Sequence, residues 1–522
     1  MRQRVTIVDL VTRGPVGKYF SRMMNANYAS IMPQAVAAWC AELGHEVRYV
    51  CYTGVEDLAR EAAARPDVVV LGSFTRSALA AYAVSNLFRR FGAVTVLGGP
   101  HARCYPEDAA KYFDYVLGFT DKPLIADLLK DCAPQRPLGR RLSAARQPVD
   151  LPGVEQRWPY IASTLAKARG IRMVPMIGSM GCPYRCAFCI DSVVDYRPMG
   201  FDLIKSDLRF LAGRLDRPVV GWHDPNFGVR FDDYMGAIEE AVPSGSVRFV
   251  AESTLSLLSE SNVERLARNG FVGMLPGIES WYEFGEKSRA TRSHGAERVR
   301  RVAEHVNMIL SRIPFVQTNF VLGLDSDEGP EPFELTKRFM KLTPGAYPAF
   351  SLLTCYGRAA PMNLDLQRSG RVLPVPFQFL DSNRLSNVRP AHYDVTEFAE
   401  RVADLLGYAL SSRVIVRRLL ANRGWTVRWL NALRAGTSKR YRWQRAVADR
   451  LAVDPAFRAY FEGRTRVLPP LLRDRVERGL GGLWPLLPEG ALEHDENAYL
   501  DDAGGAVPAD GNALSFTIAA AE

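Results

Sequence analysis

The sequence predicts an α/β protein in three consecutive parts: an open parallel sheet, a second series of βα units and a mostly helical segment. The first two parts are indicated by apolar strand patterns that alternate with amphipathic helical patterns. The third is indicated by helical periodicity without strand signals from residue 396 onward. At 522 residues the chain is too long for one hydrophobic core, so several domains are expected.

Residues 1–135 alternate strand and helix signals. Strands are predicted at RVTIVDL, HEVRYVCYT, DVVVLGSF, AVTVLGGPHA and YVLGF, with helical patterns between them. Continuous apolar runs such as residues 67–74 are typical of strands that are covered on both faces. This order predicts a doubly wound parallel sheet, which binds ligands at the carboxyl ends of its strands.

The rest of the chain divides into four further segments. Residues 136–170 are rich in Pro, Arg and Gln and are interpreted as a linker. Six βα units within residues 171–395 predict a (β/α)6 partial barrel with its chemistry at the carboxyl ends of the strands. A helical C-terminal domain is expected at 396–498, and the acidic, Gly/Ala-rich residues 499–522 are expected to form a disordered tail.

Composition indicates a globular protein of the cytoplasm. Apolar residues make up 47% of the chain, yet no run approaches the roughly 20 apolar residues of a membrane span. The start MRQRVTIVDLV lacks a small-residue cleavage site and is interpreted as a strand. Eight cysteines in so long a chain do not form a disulfide framework. A net charge of +9 is spread thinly, so neither a membrane nor a nucleic acid is an expected partner.

Three cysteines, Cys182, Cys186 and Cys189, stand in the loop GCPYRCAFC after the first barrel strand. Thiolates are the ligands of iron–sulfur clusters, and this spacing leaves one iron of a [4Fe–4S] cluster without a protein ligand. That iron can chelate the amino and carboxylate groups of S-adenosylmethionine (SAM). The alternatives are an electron-transfer cluster, which needs a fourth cysteine nearby, and a zinc site, which normally uses a second Cys or His pair.

The cysteine loop resembles the signature of the radical SAM superfamily, including the aromatic residue before the third cysteine. GIES (277–280), NFVLGL (319–324) and HDPNFGV (223–229) are similar to motifs at the ends of the fourth, fifth and second barrel strands. The resemblance covers about residues 165–370. It implies an enzyme whose reduced [4Fe–4S] cluster cleaves SAM to methionine and a 5′-deoxyadenosyl radical. It also implies an electron donor such as flavodoxin or ferredoxin.

The same resemblance implies a set of SAM-binding residues. They are Phe188, His223, Asp224, Glu252, Ser253 and Glu279. The aromatic residue would place the adenine, and the two residues after the second strand would lie near the methionine moiety. The other three would lie near the ribose or the carboxylate. Each acidic residue could instead be a structural hydrogen-bond partner at a strand end.

The N-terminal sheet resembles the cobalamin-binding domain of one large subgroup of that superfamily. The matching segments are AVAAWCAELGHEV, PDVVVLGS and VLGGPHA. The implied cobalamin site comprises Ser73, Thr75, Arg76, Gly98 and Gly99. The glycines would let the backbone approach the nucleotide tail, and the two hydroxyls could hydrogen-bond to it.

Two departures from the cobalamin-domain pattern concern the lower ligand and the last strand. CYTGVED replaces the motif that supplies a lower histidine, and GFTD replaces an acidic motif. Cobalamin is therefore expected to bind base-off, with Arg76 as the candidate residue beneath the corrin. The alternative is a vestigial domain that only shapes the active-site lid. The sheet is expected to cover the carboxyl-terminal mouth of the barrel, so that the Gly98–Gly99 turn and the cysteine loop face one cavity.

These features favour a cobalamin-dependent methyltransferase that acts on an unactivated carbon of a small-molecule or peptide substrate. The alternative is a radical SAM cyclase, rearrangement or oxidation enzyme with vestigial or no cobalamin use. A more distant alternative is an iron–sulfur electron-transfer or zinc-binding module. The basic, aromatic helices at 414–443 could bind an acidic substrate, a peptide or RNA, or could form an amphipathic domain that closes the barrel mouth.

Overall fold

Two six-stranded parallel sheets and a set of C-terminal helices make up the fold. The computed structural model describes residues 2–15, 24–132, 137–168, 172–282, 295–437 and 440–497. The predicted tail at 499–522 lies outside the described residues. In the part of the chain that is described, no helix combines the length and hydropathy that crossing a membrane requires.

The first sheet has the strand order β2-β1-β3-β4-β5-β6, and every pair is parallel. Its strands are β1 (Arg4–Leu10), β2 (Glu46–Tyr52), β3 (Val68–Ser73), β4 (Val94–Gly98), β5 (Tyr115–Leu117) and β6 (Arg140–Leu142). The helices of this part are α1 (Ile31–Glu42), α2 (Leu58–Ala63), α3 (Ala78–Arg90), α4 (Pro100–Cys104), α5 (Pro106–Ala110) and α6 (Lys122–Asp131). The order reverses between β1 and β3, which creates a ligand-binding crevice at their carboxyl ends.

The first sheet is buried on both faces because its apolar residues alternate between two core clusters. Val5 and Ile7 of β1 pack into one cluster with Trp39 of α1, whereas Val8 and Leu10 pack into the other. Such two-sided burial explains the continuous apolar runs in the sequence. The predicted doubly wound sheet is confirmed.

The segment interpreted as a linker contains two regular elements. β6 extends the sheet beside β5, and helix α7 (Val154–Leu165) packs on α1 through a hydrogen bond from Arg157 to Gln34. A three-residue strand is too short to show a period, and Pro159 inside the helix argues against a helical interpretation of that segment. The described part of this segment, residues 137–168, thus adds one strand to the sheet and one helix packed against it.

The second sheet is a partial barrel whose strands follow chain order, β7-β10-β11-β12-β13-β14, and are all parallel. They are β7 (Met173–Met176), β10 (Val219–Trp222), β11 (Arg248–Thr254), β12 (Phe271–Glu279), β13 (Phe315–Leu322) and β14 (Tyr347–Leu352). A short antiparallel pair, β8 (Ser179–Met180) and β9 (Arg197–Pro198), stands apart. The surrounding helices are α8 (Phe201–Arg214), α9 (Phe231–Ala241), α10 (Glu260–Arg268), α11 (Gly295–Arg312) and α12 (Glu331–Leu342). The six predicted barrel strands are confirmed.

One face of the barrel strands is open. In β13 and β14, alternate residues are fully buried against the helices, and the residues between them are only partly buried. The partly buried set includes Gln317, Asn319, Tyr347 and Ala349. We call this concave, partly exposed side of β11–β14 the cavity face. It is the surface on which a ligand inside the barrel would lie.

The C-terminal helices pack at two places on the barrel. They are α13 (Pro361–Arg368), α14 (Val395–Ala409), α15 (Ser412–Ala421), α16 (Trp425–Thr437), α17 (Arg440–Val453), α18 (Pro455–Phe461) and α19 (Pro470–Leu480). Trp443 and Gln444 of α17 donate to the carbonyls of Asn383 and Arg384, in the segment after α13. Arg434 of α16 instead binds Gln317, near the amino end of β13. Helices α16 and α17 thus contact different segments of the barrel domain.

Candidate functional site

The three cysteines lie in one compact loop at the carboxyl end of the first barrel strand. Cys182 and Cys186 are buried, and Cys189 is half-buried. The β8–β9 pair closes the loop, and the Cys189 amide donates to the Cys186 carbonyl at 3.0 Å. Ser192 Oγ donates to the Cys189 carbonyl at 2.7 Å. Three thiols held in one turn are a suitable donor set for an iron–sulfur cluster.

The described side chains hold no group of three His, Cys, Asp or Glu residues that could coordinate a single metal ion. A cluster makes a different demand, because each thiolate binds a separate iron atom and the sulfurs need not converge on one point. The three cysteines of the loop are compatible with this demand.

Gly181 permits the close approach of the two ends of the cysteine loop. Its φ is +67°, and a Cβ atom there would lie 2.2 Å from the Val194 carbonyl oxygen and 2.3 Å from that of Asp195. Only glycine tolerates both the backbone conformation and the contact. The position immediately before Cys182 is thus fixed by sterics.

Asp224 anchors the start of the cysteine loop from the neighbouring strand. Its Oδ1 accepts the Gly178 amide at 2.6 Å, and its Oδ2 accepts Ser179 Oγ at 2.8 Å. The Tyr234 hydroxyl lies 3.2 Å from the same Oδ2. Burial raises the pKa of Asp224 to about 6, against the lowering effect of these donors. Both oxygens are engaged by the protein, so we assign Asp224 a positioning role rather than direct contact with SAM.

The pKa of Asp224 gives a prediction for the variant Asp224→Asn. Because the folded-state pKa lies above the unfolded value, the folded protein binds this proton more tightly. The stability of the wild type relative to the variant should therefore fall by about 3 kcal/mol as the pH rises from about 4 to about 6, and then level off. Urea unfolding of both proteins across this range measures the difference. The contributions of the other carboxyl groups are the same in both proteins and therefore cancel. A difference that does not fall with rising pH would show that the folded-state pKa of Asp224 is not raised.

Three of the predicted SAM-binding residues lie on the cavity face. His223 directly follows β10, whose last residue Trp222 pairs with Ala251, so His223 and Glu252 are neighbours in register. Both side chains are exposed, yet surrounding protein lowers the pKa of His223 by desolvation. That combination is expected of a side chain that projects into an open cavity.

Glu279 has an unusual backbone at the end of β12. Its φ is +66°, and the pairing with β13 shifts between Gly277 and Glu279, as in a bulge. A Cβ on Gly277 would lie 3.0 Å from Glu279 Oε1, so glycine leaves room for the carboxylate to fold back over the strand. A strained carboxylate at a strand end fits a ligand-binding role.

Ser253 and Phe188 take other positions. Ser253 is buried behind the cavity face, where its Oγ donates to the Phe227 carbonyl at 2.9 Å. It holds the loop after β10 instead of facing the barrel interior. Phe188 is half-buried within the cysteine loop. The structure thus gathers His223, Glu252 and Glu279 on the cavity face and places Ser253 behind it.

The residues assigned to cobalamin lie at the carboxyl ends of β3 and β4. Gly99 has a φ of +95°, and a Cβ there would lie 2.9 Å from the Ser73 carbonyl oxygen. A Cβ on Gly98 would meet nothing within 4 Å, so this turn opens onto free space. Ser73 and Thr75 are buried, and the Ser73 hydroxyl donates to the adjacent Phe74 carbonyl. Gly98 is therefore the member of the set most available to a ligand.

Arg76 lies beside other charged residues that the sequence analysis did not identify. Burial and the nearby Arg13 lower the pKa of Arg76, whereas Asp381 raises it. Arg13 forms an ion pair with Asp381, which also lies 3.8 Å from Arg384. The partners are 368 positions apart in the chain, so no local pattern could have indicated them.

The carboxyl ends of the two sheets face each other. Tyr105 of the first sheet domain donates to the Cys355 carbonyl beyond β14 at 3.1 Å, and the Arg358 amide donates to the Cys104 carbonyl at 3.4 Å. Ile190 of the cysteine loop packs against the core cluster that the sheet domain shares with the C-terminal part of the chain, and Asp191 acts electrostatically on Cys104. Helix α4 joins Cys104 to the Gly98–Gly99 turn. The sheet domain therefore packs against the carboxyl-terminal side of the barrel.

Comparisons with known proteins connect this architecture to a class of enzymes. No protein-family model matches the chain. The chain is 26% identical over 308 residues to bacteriochlorophyllide d C-8(2)-methyltransferase of Chlorobaculum tepidum, covering 56% of the chain and 66% of the relative. It is 25% identical over 297 residues to bacteriochlorophyllide d C-12(1)-methyltransferase of the same organism, covering 55% of the chain and 63% of the relative. The match thus spans just under two thirds of each relative.

Two solved proteins share the fold. OxsB, a cobalamin-dependent SAM radical enzyme with aqua-cobalamin bound, aligns with 96% of this chain and 83% of its own at a TM-score of 0.54 and 13% identity. TsrM from Kitasatospora setae is a radical SAM methyltransferase solved with tryptophan and a SAM analogue. It aligns with 86% of this chain and 100% of its own, at a TM-score of 0.52 and 15% identity. The chain has the fold of cobalamin-dependent radical SAM enzymes. The resemblance seen in the sequence is thereby confirmed.

Proposed function

We propose that the protein is a radical SAM enzyme that uses cobalamin to transfer a methyl group to an unactivated carbon of a small molecule. The observation that carries the proposal is the contact between the sheet domain and the carboxyl-terminal side of the barrel, where Tyr105 and Cys104 hydrogen-bond to the segment after β14 and Asp191 of the cysteine loop acts electrostatically on Cys104. Support comes from relatives named as methyltransferases and from a neighbour solved with both cobalamin and a [4Fe–4S] cluster at a TM-score of 0.50.

Each cofactor has residues that fit it. Cys182, Cys186 and Cys189 would hold the cluster, and the exposed cavity-face residues would bind SAM. The open turn at Gly98 would admit part of a cobalamin. When bound, these groups supply a 5′-deoxyadenosyl radical and a transferable methyl group. The chain positions them, and the sheet domain over the barrel mouth keeps water away from the space between them.

The proposal extends to partners and compartment. A one-electron donor such as flavodoxin or ferredoxin would reduce the cluster, and the reducing cytoplasm would keep the other five of the eight cysteines as thiols. A small molecule as substrate is supported by the tryptophan bound in TsrM.

The cobalamin part of the proposal is tested by electron paramagnetic resonance of the protein loaded with cob(II)alamin. We expect no nitrogen superhyperfine splitting, since Arg76 is a cation that has no lone pair to donate to cobalt. The variant Arg76→His should introduce that splitting if the residue lies beneath the corrin, and Arg76→Ala should not. Splitting in the wild type would contradict the histidine-free site. Failure to retain any cobalamin would favour the vestigial-domain alternative.

A further inference from the structure

Three arginines of the C-terminal helices converge on one cavity beside the open edge of the barrel. The cavity has a volume of about 180 Å3 and lies between β14 and helices α14–α17. The arginines are Arg418 of α15, Arg434 of α16 and Arg440 of α17. Among the described residues that line this space there is no Asp or Glu. We call it the arginine cavity.

The guanidinium groups are held in place but retain donors that the protein does not use. Arg434 donates to Gln317 Oε1 at 2.7 Å and stacks 3.9 Å from the Tyr347 ring centre. Arg418 is 3% exposed, and its Nε has no hydrogen-bond partner. Arg440 has two such buried donors, Nε and Nη2. The cavity is thus lined by fixed, unsatisfied N–H groups.

The nearest carboxylate is committed elsewhere. Asp381 acts electrostatically on Arg440, but it forms an ion pair with Arg13 and accepts the amides of Asn383 and Arg384. Burying a charge without a partner is unfavourable, so three guanidinium groups around an acid-free cavity call for an anion. Arginine forks match the oxygen geometry of carboxylates and phosphates.

We propose that the arginine cavity binds an oxyanion, the carboxylate or phosphate group of a small molecule, between Arg418, Arg434 and Arg440. Its volume suits a compact anion and excludes a folded peptide or a nucleic acid. Tyr347 and Ala349 of the cavity face line the site, together with Asn383 from the segment after α13. The site goes beyond the proposed function, because anion binding by these side chains needs no cofactor.

The test is calorimetric titration of the full-length protein with inorganic phosphate and, separately, with citrate at low ionic strength. We expect saturable binding of at least one of these anions. Arg434→Gln and Arg440→Gln should each weaken it about tenfold, the loss of one charge-assisted hydrogen bond. The control Arg442→Gln changes an exposed arginine two positions from Arg440 and should bind as the wild type does. Preference for citrate or for phosphate identifies the kind of acid.

Thermal unfolding separates anion binding from a structural role. Phosphate or citrate should raise the melting temperature of the wild type and of Arg442→Gln, but not that of Arg440→Gln. Without anion, Arg440→Gln should be at least as stable as the wild type because it removes a buried unpaired charge. The proposal is overturned if neither anion binds, or if Arg434→Gln and Arg440→Gln bind as the wild type does. These measurements do not involve SAM, so they test the arginine cavity even if the wild type proves unable to cleave SAM.

Discussion

Replacing Cys186 with alanine should abolish both the iron–sulfur cluster and SAM cleavage. Cys186 is 1% exposed at the centre of the cysteine loop, and two remaining thiolates cannot hold a cluster that needs three. After anaerobic reconstitution, iron analysis should show near-complete loss of bound iron. Chromatography should show no 5′-deoxyadenosine above the background without enzyme.

A second buried cysteine provides the matched control. Cys40 is also 1% exposed, lies in α1 far from the loop along the chain, and has a pKa that burial raises to about 12. Cys40→Ala should cost about 1 kcal/mol of stability and leave the iron content unchanged. Equal iron in Cys186→Ala and Cys40→Ala would show that the loop does not hold the cluster.

Replacing Gly181 with alanine should disable the cysteine loop without changing any ligand. The new Cβ would lie 2.2 Å from the Val194 carbonyl oxygen, and the backbone would have to keep a φ of +67°. We expect the loop to open at a cost of at least about 3 kcal/mol and the iron content to fall severalfold. Urea unfolding and iron analysis measure the two effects.

The variant Gly213→Ala in helix α8 is the control for the general effect of replacing a glycine with alanine. A Cβ there meets nothing within 4 Å, so Gly213→Ala should stabilise the protein by about 0.5–1 kcal/mol and retain full iron. If Gly181→Ala and Gly213→Ala retained the same amount of iron, the space beside the Val194 carbonyl would not be needed for the loop to hold the cluster.

The sequence predicted the two sheets because their strands carry the strongest local signal. Strands such as β3 (Val68–Ser73) are buried on both faces, and the cysteine spacing indicated a cluster without any knowledge of the fold. β6 escaped prediction because three residues are too few to show a period, and α7 because Pro159 in its middle argues against a helix. The fold class depended on long elements, and those were predictable.

The site was predictable by residue type but not by orientation. Alternation along a strand decides which side chain reaches the cavity, so Glu252 and Ser253 point to opposite faces although they are adjacent. Asp224 carries the expected charge but uses both oxygens to hold Gly178 and Ser179. The Arg13–Asp381 pair and the arginine cavity join distant segments, and only the tertiary fold reveals them.

The central claim is that this chain performs radical SAM chemistry in a space shared with cobalamin. The most direct measurement is anaerobic reconstitution with iron, sulfide and cobalamin, followed by reduction in the presence of SAM. Our account predicts close to four irons and one cobalamin per chain, with 5′-deoxyadenosine formed only when a reductant is added. Stoichiometric zinc without iron, from protein made under anaerobic and iron-replete conditions, would contradict it.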